Sequence, residues 1–127
     1  MGAERAATSN VNGESTKTFE SSLFVWATVM SRPAEERAIV DAGLKALAFD
    51  SGPPLVWDEP AATYERASDE HGRLAVSAAT NRLRIGDKIR LVPGHCDPTV
   101  NLYDWYVCVR GNRVEQVWPI TARGAVY

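Results

Sequence analysis

The chain has 127 residues, 45% of them hydrophobic and 24% charged, with a formal net charge of -2. That length fits one domain with a single modest core, and the charge balance offers no electrostatic basis for binding nucleic acid or an anionic membrane. No apolar run approaches the roughly 20 residues that cross a bilayer, no apolar core follows Met1–Arg5 as a signal peptide requires, and two cysteines, Cys96 and Cys108, are too few for a disulfide scaffold; the expected location is the cytoplasm, with both thiols reduced.

Residues 1–18 are polar, rich in small side chains and aperiodic, which predicts a disordered lead or linker before an ordered domain over 19–127. Ser22 to Met30 is rich in β-branched and aromatic residues and predicts a strand that stops before Arg32-Pro33. Ala34 to Phe49 has helix-forming composition, with Glu35 and Glu36 at its start. Gly43 interrupts it, however, and Asp50-Ser51-Gly52-Pro53-Pro54 ends it sharply. We therefore read Arg37 to Asp41 as a strand ending at a Gly43 turn. Pro53 to Pro60 is a loop with an apolar insert, Leu55-Val56-Trp57, and Glu70-His71-Gly72 is a polar turn leading into a strand over Arg73 to Ala79.

Gly86-Asp87 marks a turn, and Lys88 to Val92 then alternates polar with apolar at period two. A loop over Gly94 to Thr99 follows. Tyr103 to Val109 alternates Tyr103, Trp105, Val107 and Val109 against Asp104, Tyr106 and Cys108; Arg110-Gly111-Asn112 is a turn, and Arg113 to Ile120 returns as a second strand. Five to seven short strands with at most one or two short helices predict a mainly β fold, a small barrel or sandwich.

The densest cluster of chemically capable residues is Pro93-Gly94-His95-Cys96-Asp97-Pro98-Thr99-Val100-Asn101, between two strands. In extended backbone, residues two apart point to the same side, so the His95 imidazole and the Asp97 carboxylate can converge on one ion. Nitrogen plus oxygen ligation suits Mn²⁺, Zn²⁺ or a similar divalent ion. Two ligands are too few for a closed structural site, which points to a catalytic metal completed by water, substrate or other polypeptide. The competing reading of the same triplet is an ordinary turn, with His95 hydrogen-bonded and Asp97 capping.

The remaining candidates read as structural. Cys96 should face away from an extended His95/Asp97 pair and packs as a small hydrophobe, and Cys108 belongs to the core. His71 is read as a surface turn histidine in preference to an acid–base group, and Asp41, Lys45 and Asp50 form a charged set around Gly43, read as a solvated face or an ion pair in preference to residues facing a site. Trp26, Trp57, Trp105 and Trp118 read as core or interface. There is no Gly-rich phosphate loop, Gly-x-Ser-x-Gly elbow or Cys-x-x-Cys pair, and none of the three lysines, Lys17, Lys45 and Lys88, has the setting of a Schiff-base lysine.

Several motifs in order resemble the C-terminal domain of the D-threonine aldolase and D-serine dehydratase-like family, which depends on pyridoxal phosphate. They are Asp41 to Leu47, Glu70 to Leu74, Gly86 to Arg90, Pro93 through Asp104, and Trp118 to Gly124, so that the resemblance covers about Phe24 to Gly124. It implies a TIM-like barrel holding the cofactor and its lysine, followed by a β domain that supplies two metal ligands, here His95 and Asp97. Asp97 in place of the cysteine usual in the dehydratase branch points to the aldolase branch. The implied reaction is cleavage of a D-β-hydroxy-α-amino acid to glycine and an aldehyde, in a homodimer. It also implies that this chain is a fragment, one domain of a longer protein or a degenerate gene product, inactive without the missing barrel, with no catalytic or cofactor-binding residue of its own and an apolar face left exposed.

A dehydratase domain of the same family and a non-catalytic β binding module are the alternatives. A free-standing cupin-like metal hydrolase would need more histidines than His71 and His95.

Overall fold

The computed structural model describes residues 7–9, 15–17, 20–77 and 82–125. The fold is mainly β, as expected, with ten strands and one short helix among these residues. Ala7–Ser9 (β1) and Ser15–Lys17 (β2) pair antiparallel within the segment expected to lack order, most of whose residues lie outside the described ones. The body is a six-stranded antiparallel sheet of β3 (Val25–Ala34), β4 (Arg37–Val40), β5 (Leu55–Val56), β6 (Ala62–Ala67), β7 (Gly72–Val76) and β8 (Lys88–Val92), in the order β5-β8-β3-β4-β7-β6. The two edge strands β5 and β6 come into contact, so the sheet curls nearly into a barrel.

Period-two alternation builds the interior. Val25, Ala27 and Val29 of β3, Ala38 and Val40 of β4, Ala62 and Tyr64 of β6, Leu74 and Val76 of β7, and Ile89 and Leu91 of β8 are all buried, while their neighbours on each strand turn outward. Ala42, Leu47 and Leu83 from the connections close the ends of this core. Among the described residues no helix is long and apolar enough to cross a membrane.

Three local expectations are corrected. β3 runs through Pro33 to Ala34 instead of stopping before Arg32-Pro33. A register shift between Ser31 and Ala34 opposite β4 lets proline, which has no N–H to give a ladder, sit in the strand. The Gly94 to Thr99 loop holds the helix α1 (Cys96–Val100). Finally, β9 (Trp105–Arg110) and β10 (Arg113–Pro119) form the expected hairpin around Gly111, which has φ +59°, but no residue of it is buried. Cys108 is therefore half-buried rather than core, and of the tryptophans read as core or interface, Trp105 and Trp118 of the hairpin and Trp26 of β3 are more than half exposed and so not core.

Two of the motifs, far apart in sequence, meet at the end of the barrel. The backbone N–H groups of Leu44 and Lys45 donate to the carbonyls of Ser68 and Asp69 (2.9 and 3.0 Å). At Gly43 an added Cβ would lie 2.2 Å from the Ser68 carbonyl oxygen, and at Gly72 it would lie 2.3 Å from the Tyr64 hydroxyl. Glycine is needed at both for close approach, since neither has a positive φ. Tyr64 donates to the Ala42 carbonyl at 2.6 Å, and burial pushes its hydroxyl pKa up to about 12.

Candidate metal centre

The segment from Pro93 to Asn101 leaves β8, turns at Gly94 and enters α1. His95 occupies the N-cap position in extended backbone (φ -142°, ψ 119°), whereas Asp97 is already in the first helical turn. The expected extended His95–Asp97 pair, with Cys96 on the opposite side, is thus not what forms. The chain bends into a helix after His95, and Cys96 is exposed at its first position rather than packed. Asp97 contributes the smallest of the effects that raise the His95 pKa.

The residue that sequence reasoning left outside the site is Asp50. Its Oδ2 lies 2.5 Å from His95 Nδ1, and both side chains are about half exposed (53% and 42%). The hydrogen bond to Asp50 raises the His95 pKa above the ordinary 6.5, and the charges of Asp50 and then Asp97 add to it against desolvation. The same hydrogen bond lowers the Asp50 pKa below its ordinary 3.8. No sequence signal joins two residues 45 positions apart. The sharp stop Asp50-Ser51-Gly52-Pro53-Pro54 announced only the turn on which Asp50 sits.

Of the other charged candidates, Asp41 accepts the Thr28 backbone N–H at 2.7 Å and Lys45 pairs with Glu70. Both therefore have structural partners, and they line a shallow cleft with Asp69, His71 and Tyr103.

The donor chemistry fits a divalent ion held by two side chains. His95 has one ring nitrogen engaged by a carboxylate and the other, Nε2, with no hydrogen-bond partner among the described residues; the Asp97 carboxylate, two residues on, is exposed. A histidine oriented through one nitrogen by a carboxylate is the usual form of a metal ligand. Among the described residues no three His, Cys, Asp or Glu side chains are arranged to share an ion. Pyridoxal phosphate does not fit in the same way. Lys45 is paired with Glu70, and Lys88 donates to the Thr28 hydroxyl at 2.6 Å, so neither of these lysines is placed for a Schiff base.

Residues 22–109 match the family model described as "Putative serine dehydratase domain". A 3-hydroxy-D-aspartate aldolase from Paracoccus denitrificans is 50% identical over 109 residues, covering 86% of this chain but 28% of its own length. The solved D-threonine aldolase from Filomicrobium marinum superposes with a TM-score of 0.81 at 48% identity, over 87% of this chain and 30% of its own. A D-threo-3-hydroxyaspartate dehydratase from Delftia sp. HT23 superposes at 0.63 with 28% identity, over 76% of this chain and 31% of its own. Two variants of an enzyme of that name, in which a histidine or a cysteine two positions further on is replaced by alanine, superpose at 0.66. The cysteine variant is described as metal-free. The chain thus spans less than a third of the length of each of these relatives.

Proposed function

The chain belongs to this serine dehydratase domain family, and from that premise we propose that it is the metal-bearing C-terminal β domain, residues 19–127, of a pyridoxal-phosphate-dependent lyase. The activity we assign to the complete enzyme is cleavage of a D-3-hydroxy-α-amino acid to glycine and an aldehyde. The observation that carries the reading is the His95 imidazole held through Nδ1 by Asp50, with Nε2 left open two residues before the exposed Asp97. In the dehydratase variants a histidine and a cysteine two positions apart were the residues replaced, one of them in a form described as metal-free; His95 and Asp97 have that spacing. A carboxylate where the dehydratase has a thiolate, together with about 50% identity to an aldolase against 28% to the dehydratase, favours aldolase over dehydratase chemistry.

In this reading His95 Nε2 and the Asp97 carboxylate hold a divalent ion, Mn²⁺ or Zn²⁺. When bound, such an ion supplies Lewis-acid stabilisation of charge on the substrate hydroxyl oxygen. Asp97 contributes the negative charge that favours the cation, and Asp50 keeps the imidazole in a fixed orientation. His95 comes from the N-cap and Asp97 from the first turn of the helix that follows a barrel strand, a rigid base that leaves the open side of the ion to substrate. Pyridoxal phosphate and its lysine belong to polypeptide outside residues 19–127, a barrel domain against which this face would dock in a homodimeric, cytoplasmic enzyme.

The test joins this chain to the barrel of a D-threonine aldolase in place of that enzyme's own C-terminal domain and measures aldehyde release from D-threonine with Mn²⁺ added. The expected result is metal-dependent cleavage that His95→Ala and Asp97→Ala each reduce at least 100-fold. Cleavage that neither change affects would remove the assignment.

A further inference from the structure

Asp50 is more than a surface partner of His95, because the two segments that carry these residues are fastened together at three independent points. The Thr99 hydroxyl, 2% exposed, donates to the His95 carbonyl at 2.8 Å and accepts the Ala48 N–H at 3.1 Å, so one buried group ties the approach to Asp50 to the backbone of His95. Gly94 lies against the 51–52 backbone: an added Cβ would be 2.7 Å from the Gly52 carbonyl oxygen and 3.2 Å from that of Ser51. The turn presenting Asp50 is closed by the Gly52 N–H donating to the Phe49 carbonyl at 3.1 Å, with Gly52 at φ +100°, a conformation that suits glycine. The third point is the Asp50–His95 contact itself, at 2.5 Å.

An exposed ion pair between two freely rotating side chains contributes little. Here the backbones of both partners are held, and the geometry points to a defined role. We propose that Asp50 is a positioning residue of the metal half-site: its carboxylate accepts the Nδ1–H of His95, fixes that tautomer, and leaves the Nε2 lone pair as the only ring donor available to the ion. Thr99 and Gly94 hold the two loops in the register that makes this contact. The inference rests on the reading of His95 and Asp97 as ligands and adds the residue that orients His95. Carboxylates that orient a ligand histidine matter for affinity, since losing one weakens metal binding by roughly 10–100-fold.

The experiment uses the full chain labelled with ¹⁵N at histidine, at a pH where His95 is neutral, with Zn²⁺ as the probe. The wild-type chain is expected to show His95 protonated at Nδ1 without metal and coordinated through Nε2 with it. Asp50→Ala is expected to give a mixture of tautomers and to weaken Zn²⁺ binding about 10–100-fold, while its backbone spectrum stays that of the wild type. Thr99→Val, which keeps the side-chain volume but removes the hydroxyl, should shift the His95 tautomer in the same direction by a smaller amount. If Asp50→Ala binds Zn²⁺ like the wild type while His95→Ala does not, the positioning role is wrong and the ligand assignment stands. If the ion is coordinated through Nδ1, Asp50 does not orient His95 and the proposal is overturned. If His95→Ala and Asp97→Ala bind like the wild type, the metal reading itself fails and takes this inference with it.

Discussion

At the scale of single residues, the account turns on why an imidazole, two carboxylates and a glycine are placed as they are. The sequence pattern around His95 and Asp97 was legible, because nitrogen and oxygen donors two apart between two turn-forming residues are a recognisable half-site. The geometry behind it was not: a helix starts at Cys96, so the extended backbone expected through Asp97 ends at His95. Asp50 was invisible as a partner because nothing local links it to His95. Gly94 also serves differently from a mere restriction on the backbone: its missing side chain admits the Gly52 carbonyl. Gly94→Ala is therefore expected to push the Asp50 turn away and to return the His95 pKa toward 6.5, read by NMR titration. Because the folded His95 pKa is raised, its pairing stabilisation is complete below 6.5 and is lost as pH climbs through the raised value; because that of Asp50 is lowered, its part is complete above 3.8 and is lost as pH falls through the lowered value. The pair is at full strength between those limits, and a titration midpoint for His95 at or below 6.5 would contradict the contact. Metal binding has the opposite sign, since the ion needs an unprotonated ring, and its affinity should rise with pH through the same midpoint.

At the scale of elements, the most readable parts were those in which local pattern and burial agree. β8 lies where the alternation of Lys88 to Val92 put it, and the turn at Gly111 was announced by its residues. Arg37 to Val40 is a strand despite the helix-forming composition around it, because β3 and β7 flank it and bury Ala38 and Val40. Pairing of distant segments was not readable: Asp41 to Leu47 and Glu70 to Leu74 could be quoted as motifs without any sign that they touch. Their contact explains Gly43, and the approach of Tyr64 explains Gly72. Gly72→Ala would drive a Cβ into the buried Tyr64 ring, and Gly43→Ala would drive one into the 68–71 backbone. Each should destabilise the fold by about 1–3 kcal/mol, the range for overpacking a close-packed interior, as measured by urea unfolding; an unchanged midpoint would refute the close approach. Ala61→Ser, in the connection between β5 and β6, carries no such expectation and serves as the control.

At the scale of the whole molecule, the β9–β10 hairpin is the unfinished part. Its register pairs Val107 with Val117, Val109 with Val114 and Trp105 with Pro119, so one face is apolar throughout and exposed. A hairpin with no core beneath it is marginal on its own, and an apolar face of this kind marks a contact surface. The composition and alternation made the strands legible, but alternation implies a buried face only when something covers it, and within these residues nothing does. The isolated chain is expected to self-associate through this face. Replacing the cross-strand partners by Val107→Lys and Val117→Glu, which preserves pairing through opposite charges, should shift the chain toward monomer in sedimentation velocity. Equal association in both forms would place the sticky surface elsewhere.

If this domain carries half of a metal site on His95 and Asp97, paramagnetic broadening will locate it. Titrating the ¹⁵N-labelled chain with substoichiometric Mn²⁺ should broaden resonances around His95, Asp97 and Asp50 first and most strongly, and His95→Ala should abolish that local effect. Broadening that is uniform over the surface carboxylates, or centred on the Asp41, Asp69 and Glu70 cleft and unchanged by His95→Ala, would contradict the account.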